Sequence, residues 1–302
     1  MNWIDQLAGL AGPCVIVTVA KAEGSTPREA GARMLVTSDA IYGTIGGGNL
    51  EFKATDRARK MLADASETAV ASERYALGPS LGQCCGGVAT LLFERSLPDH
   101  REWSKALAEL RTADKEATLV SGIGVIASER VKLDAVDDLT WDGERLIEPI
   151  KPNAFNIAVF GAGHVGQAIV HILGIIDCKV TWIDEREAQF PASVPENAEV
   201  RWSDAPALEV DDFPPNTRYI VLTHSHALDQ DICERVLRRG DFAYLGLIGS
   251  ATKRATFERR LALRGIEPRQ LRRMTCPIGI DGIESKEPGV VAVAVAAELM
   301  RV

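Results

Sequence analysis

The chain has 302 residues, is 46% hydrophobic and 25% charged, and carries a formal net charge of −8. At roughly 150 residues per domain this reads as two domains with enough apolar material for two cores. The composition excludes a wholly disordered chain, a nucleic-acid binder held by bulk positive charge, and a helix spanning a membrane, for which about 18 consecutive apolar residues are needed.

The N-terminus has no basic leader region, and Asp5 interrupts its apolar stretch, so no signal peptide is read. Six cysteines in a chain of this length suit reduced thiols in the cytoplasm. Asn2–Leu10 reads as a short helix and Cys14–Ala20 as a buried, β-branched strand. Ala32–Val36 and Ala40–Thr44 follow as strands. Asn49 is placed to cap a helix over Leu50–Ala63, with apolar residues at Leu50, Ala54, Ala58, Met61 and Leu62. Ala69–Tyr75 and Val88–Phe93 read as strands, Glu102–Arg111 as a helix and Thr118–Ile126 as a strand. Glu148–Asn153 contains two prolines and reads as a linker.

Beyond the linker, strand and helix alternate. Asn156–Phe160, Lys179–Ile183, Tyr219–Leu222 and Ala243–Ile248 read as strands. Val165–Leu173, Asp229–Arg238, Thr252–Leu263 and Val290–Arg301 read as helices. This alternation implies a parallel sheet covered on both faces. The expected fold is therefore α/β: an N-terminal α+β domain over residues 1–150 and a C-terminal, Rossmann-like, doubly wound domain over residues 151–302.

Several loops carry the chemistry. Gly161-Ala162-Gly163-His164-Val165-Gly166 lies between a strand and a helix, and Asp184 ends the next strand, which is the context of a dinucleotide fingerprint. On that reading the helix start takes a phosphate and Asp184 accepts from a ribose hydroxyl, favouring NAD over NADP. Gln83-Cys84-Cys85-Gly86-Gly87 is different in kind, because a glycine loop exposes adjacent thiols to backbone N–H groups that favour thiolates, and thiolates select soft metals and sulfur. Cys14, Cys178 and Cys233 read as inert, buried thiols. Gly46-Gly47-Gly48 before a helix, with Glu51 in its first turn, reads as an anion cradle, and Thr26 and Arg28 supply a hydroxyl and a bidentate cation from a second loop. Thr223, His224 and His226 fall at a strand's carboxyl end and are expected to face one crevice with His164. Gly249, Ser250 and Lys253 open another helix with a cation. Lys253–Arg273 holds eight basic residues against Glu258 and Glu267, whereas Asp184–Asp212 is strongly acidic, and both read as solvated faces.

Taken in order, these loops and Cys276–Pro288 resemble the XdhC/CoxI family of xanthine dehydrogenase accessory proteins. The resemblance implies a protein that binds the molybdenum cofactor (Mo-molybdopterin), holds it during sulfuration and inserts it into xanthine dehydrogenase or a related hydroxylase. It implies the molybdenum subunit of that enzyme and a cysteine desulfurase as partners, a homodimer, and no nucleic acid or membrane. Cys84 and Cys85 are then the molybdenum or sulfur contacts. A nucleotide at the Rossmann fingerprint is a further expectation. The rival reading is an NAD(P)-dependent oxidoreductase with His164, His224 or His226 as proton donor.

Overall fold

The computed structural model describes residues 3–64, 66, 68–78, 86–96, 100–113, 115–150 and 155–302. The chain divides into two compact units, residues 2–152 and 153–302.

The N-terminal unit runs α1 (Trp3–Gly9), β1 (Val15–Glu23), β2 (Arg33–Val36), β3 (Ile41–Gly43), α2 (Gly48–Ala63), β4 (Val70–Ala76) and β5 (Val88–Arg95). It continues with α3 (His100–Thr112), β6 (Ala117–Gly122), α4 (Ala127–Arg130), β7 (Val131–Lys132), β8 (Thr140–Trp141) and β9 (Arg145–Ile150). Two antiparallel sheets result, ordered β3-β2-β1-β5-β4 and β7-β6-β9-β8. Strand alternation sends Val15, Val17 and Val19 to a core shared with Leu50, Ala54, Ala58 and Met61 of α2. Ile16 and Leu35 face the other way, towards Ile4 and Leu7 of α1, Trp103 and Leu107 of α3, and Leu119 and Ile150 of the second sheet. β1 reads as an unbroken apolar run because both its faces are covered.

One buried ion pair joins the two sheets, and a second ties the first sheet to α4 and, through a backbone amide, to β6. Arg33 of β2 donates to Glu148 of β9 through Nη1 (2.8 Å) and to Thr18 Oγ1 through Nε (3.0 Å), with the Trp3 ring 4.4 Å from its guanidinium. Glu94 of β5 accepts from Arg130 Nη2 and from the Gly122 amide, both at 3.0 Å. Glu148–Ile150, expected in the linker, thus belongs to β9, because Glu148 is the partner Arg33 requires. The strand expected through Ile126 ends at Gly122. Asn49 does not cap α2: the helix starts two residues earlier than expected, at Gly48, with Gly47 at the cap position.

The C-terminal unit runs β10 (Asn156–Phe160), α5 (His164–Leu173), β11 (Lys179–Asp184), β12 (Ala198–Trp202), β13 (Arg218–Val221), α6 (His226–Arg239), β14 (Tyr244–Leu247), α7 (Ala251–Leu263), α8 (Pro268–Leu271), β15 (Met274–Thr275) and α9 (Pro288–Leu299). Its six strands are parallel in the order β12-β11-β10-β13-β14-β15. One face packs on α6 and α7 through Ile232, Val236, Phe257 and Leu261. The other packs on α5 and α9 through Ile169, Leu173, Val295 and Leu299. This is the doubly wound sheet expected, with β12 as an additional edge strand. The basic stretch is laced with ion pairs, such as Arg254–Glu258 and Arg264–Glu234, as befits a solvated face. No helix among the described residues is long and apolar enough to cross a membrane.

Removing one partner of a buried pair strands a charge, which costs about 3–5 kcal/mol, whereas replacing both with apolar groups costs little. Glu148→Ala is therefore expected to lower the urea midpoint strongly, and Arg33→Met/Glu148→Leu to recover most of that loss.

Candidate functional site

In the N-terminal unit three of the singled-out loops converge. A Cβ on Gly46 would fall 2.3 Å from Pro27 Cβ, and one on Gly87 would fall 2.4 Å from the Ser25 carbonyl oxygen. The Gly87 amide donates to Ser25 O at 3.1 Å, and its carbonyl accepts from Leu77 N at 2.9 Å. Close backbone approach therefore requires glycine at both positions. It fastens the C-terminal end of the cysteine loop, Gly86-Gly87, to the Gly24–Arg28 loop, and that loop to Gly43–Glu51. Gln83, Cys84 and Cys85 lie outside the described residues.

The glycine cradle already holds an anion of its own. Glu51 Oε2 accepts from Thr44 Oγ1 (2.6 Å) and from the amides of Ile45 and Gly47 (3.1 Å each). The loop has the donor geometry expected for a phosphate, but the carboxylate three residues into α2 fills it. Arg28 pairs with the neighbouring Glu29 at 3.0 Å, and this contact raises the Arg28 pKa. Thr26 Oγ1 donates to Arg28 O at 3.0 Å and shapes the same turn.

In the C-terminal unit the expected residues gather at the carboxyl ends of β10, β11, β13 and β14. Gly161 turns the chain against Leu222, and a Cβ on Gly166 would fall 2.1 Å from Gly161 O, so both glycines serve helix–strand packing. Gly163 is different, since its φ is −72° and a Cβ there would meet nothing within 4 Å. Ser225 caps α6 and Ser250 caps α7, while α5 begins at Gly163 with no side-chain cap.

Asp184 is the hinge of this edge. It is 4% exposed. Its Oδ2 accepts from the Ala162 amide (2.6 Å) and Arg186 Nη2 (2.9 Å), and its Oδ1 from the Arg186 amide (2.8 Å) and Arg186 Nε (2.9 Å). Four donors fill the acceptor capacity of a carboxylate. Asp184 therefore braces the glycine turn and has no lone pair left for the ribose hydroxyl it was expected to receive. Burial pushes its carboxyl up, but the hydrogen bonds from Arg186 and Ala162 outweigh burial and hold it below the usual carboxylate range.

Lys253 is likewise committed. Its Nζ donates to Asp229 Oδ2 (2.7 Å) and Ile248 O (2.9 Å), and Asp229 is fully buried. Asp229 Oδ1 accepts from the Thr223 amide (2.9 Å) and Thr223 Oγ1 (2.7 Å). Lys253 and Thr223 thus tie the β13–α6 loop to the β14–α7 loop rather than offering a free cation and hydroxyl. Gly249 and Ser250 form the start of α7, where Ser250 Oγ accepts from Lys253 N. His224 Nε2 lies 3.3 Å from Glu185 Oε1, and both are exposed. These two line a crevice too narrow for a water molecule, together with Asp184 and Thr223, whereas His164 and His226 do not line it. Cys14, Cys178, Cys233 and Cys276 are buried, and burial raises each thiol, Cys178 to about 11, so none is poised as a nucleophile.

Sequence patterns place these loops but not their internal wiring: Arg186 and Glu185 sit beside expected residues with nothing in the spacing to mark them, and Asp229 closes the Thr223–Asp229 motif without any sign that Lys253 is its partner.

Residues 157–299 match the family model described as the XdhC Rossmann domain, and residues 10–75 match that of the XdhC and CoxI family. The chain belongs to the XdhC and CoxI family. A crystal structure described as a xanthine dehydrogenase from Bacillus halodurans has the same fold, with a TM-score of 0.79 at 23% identity over 99% of this chain and 94% of that one. The uncharacterized protein YqeB of Escherichia coli (strain K12) is 22% identical over 295 residues. That match takes in 96% of this chain but only 43% of YqeB, so the chain spans less than half of that relative.

The two internal carboxylates of this XdhC-type Rossmann unit make different predictions. Lys253→Met strands Asp229 and is expected to cost about 3–5 kcal/mol in chemical unfolding, partly restored by Asp229→Asn in the same chain. The folded-state pKa of Asp184 is depressed, so its contribution is complete above the ordinary value and disappears as pH falls through the folded one. Asp184→Asn is expected to cost about 1–3 kcal/mol at neutral pH. In urea titrations that difference should narrow below about pH 4.

Proposed function

We propose that this protein is an accessory factor of a xanthine dehydrogenase or related molybdenum hydroxylase. It carries the molybdenum cofactor as cargo during sulfuration and hands it to the enzyme's molybdenum subunit. Family membership supports the accessory role. The observation that carries the cargo reading is the convergence of the three N-terminal loops, through Gly46 on Pro27 and Gly87 on Ser25. Cys85 precedes Gly87, which closes on Ser25, by two residues in sequence.

The donor set suits such a cargo in part. Thiolates suit a soft molybdenum–sulfur centre. The cargo's phosphate has a partner in Arg28, because an exposed pair such as Arg28–Glu29 is worth only about 0–1 kcal/mol and exchanges readily for a phosphate. Glu51, by contrast, supports the loop from within and is assigned no contact with the cargo. A cysteine desulfurase as sulfur donor, a homodimeric assembly and a cytoplasmic location complete the reading. The oxidoreductase alternative is weakened, since Asp184 has no free acceptor for a ribose.

The test is anaerobic loading with molybdenum cofactor, desalting and metal analysis. The wild type is expected to retain molybdenum near one per chain, and Cys84→Ala/Cys85→Ala to lose it while unfolding at the same urea concentration. Equal retention by both proteins would reject the role of the cysteine pair.

A further inference from the structure

A cleft opens at the other end of the Rossmann sheet, beside the amino ends of β14 and β15. Its volume is about 490 Å³, and Arg239, Gly240, Asp241, Arg269, Gln270 and Arg273 line it. Arg239 ends α6 and Gly240 caps it, Arg269 and Gln270 belong to α8, and Arg273 directly precedes β15. The volume falls within the ~300–1,000 Å³ of small-molecule pockets. No aliphatic or aromatic residue lines the cleft, so it does not suit an apolar ring.

The three arginines differ in what they leave free. Arg239 is engaged: it donates to both oxygens of Asp241 (3.1 and 2.9 Å), to Phe213 O (2.8 Å) and to Val210 O. Arg273 is fixed but carries an uncompensated charge. Its Nη1 donates to Gly240 O (2.6 Å) and its Nη2 to Phe242 O (2.5 Å), and the guanidinium lies 3.8 Å from the centre of the Phe242 ring. These partners are neutral, and they use only part of the five-donor fork of a guanidinium. Arg273 is nevertheless exposed. The two carboxylates beside the cleft are paired elsewhere, Asp241 with Arg239 and Glu267 with Arg269. The Arg269–Glu267 contact, at 2.8 Å, joins side chains 78% and 61% exposed, and such a pair exchanges readily. Three cations outweigh Asp241, Glu267 and the roughly half negative charge at the end of α6, so the cleft is positive in a chain of net charge −8.

We propose that this cleft binds the phosphomonoester group of a small, hydroxyl-rich ligand, a sugar phosphate, with Arg273 as the fixed receptor and Arg269 as the clamp that closes on it. A guanidinium fork matches phosphate oxygens bidentately. A phosphomonoester, whose second pKa is about 6, carries nearly two charges at neutral pH. A lone phosphate leaves most of the cleft unfilled. Asp241 has acceptor capacity beyond its bonds to Arg239, and Gln270 supplies an amide, so both suit the hydroxyls of a sugar. The cleft lies at the opposite end of the sheet from the glycine turn and Asp184. The proposal does not rest on the cargo reading.

The experiment is calorimetric titration of the full chain, in phosphate-free buffer at low salt, with ribose 5-phosphate, inorganic phosphate and citrate. Ribose 5-phosphate is expected to bind with a Kd below about 1 mM, and about tenfold more tightly than either of the others. Citrate tests charge without phosphate, and inorganic phosphate tests phosphate without the sugar. Arg273→Gln and Arg269→Glu are each expected to weaken binding at least about tenfold. Arg259→Gln, on the same basic stretch but outside the cleft, is expected to leave it unchanged. Circular dichroism and urea midpoints check folding, and the exposed Arg269 supplies a variant independent of the framework that Arg273 braces. No binding at about 1 mM, equal affinity for citrate or inorganic phosphate, wild-type affinity in folded Arg269→Glu, or an equal loss in Arg259→Gln would each overturn the proposal. Molybdenum loading reads Cys84 and Cys85 in the N-terminal unit, so either reading can fail while the other holds.

Discussion

Every loop that gives this protein its sites must dispose of backbone N–H groups held away from strands and helices. A buried donor left without a partner costs about 1–3 kcal/mol. The chain meets this constraint with its own carboxylates. Glu51 takes the amides of Ile45 and Gly47, Asp184 those of Ala162 and Arg186, and Asp229 that of Thr223. Each carboxylate is in turn held by a side chain: Thr44 for Glu51, Arg186 for Asp184, and Lys253 with Thr223 for Asp229.

This arrangement changes what a glycine-rich turn signifies. Positive backbone ends attract anions, and a sequence reader therefore supplies a phosphate. Here the anion is a side chain a few residues further along at Glu51, or on the neighbouring strand at Asp184. The start of α5 is the departure from that pattern: Gly163 is neither crowded nor capped.

Much of the architecture was legible. β10 is predicted residue for residue, and the other main strands and helices fall within a few residues, because a parallel sheet covered on both faces writes itself as short β-branched runs between amphipathic helices. The edge strand β12 was not legible: Ala-Glu-Val-Arg-Trp is exposed at most positions and carries charges, so it lacks the apolar run of a central strand. The second N-terminal sheet was also obscure. Its strands β7 and β8 have two residues each, and β9 contains Pro149, which reads as a break. For the candidate sites, the sequence located the loops but not the wiring. Asp229 looks like an ordinary first-turn acid of α6, and only the fold brings Lys253 to it. Arg186 reads as one basic residue in an acidic stretch, although both oxygens of Asp184 depend on it.

The pairing of Arg33 with Glu148 spans 115 residues of sequence. As the chain leaves the ribosome, β1 and β2 emerge with a cation that belongs in the core and has no counter-charge there. The first sheet can gather its local hairpin of β2 and β3, but it cannot close its second face until nearly the whole N-terminal half has been synthesised. Non-local contacts of this order slow folding, because loop-closure entropy is lost before the contacts form. Assembly of the N-terminal unit is thus gated by its own last strand, and a nascent chain arrested before β9 would expose Ile16, Leu35 and Trp103 together with a solvated guanidinium.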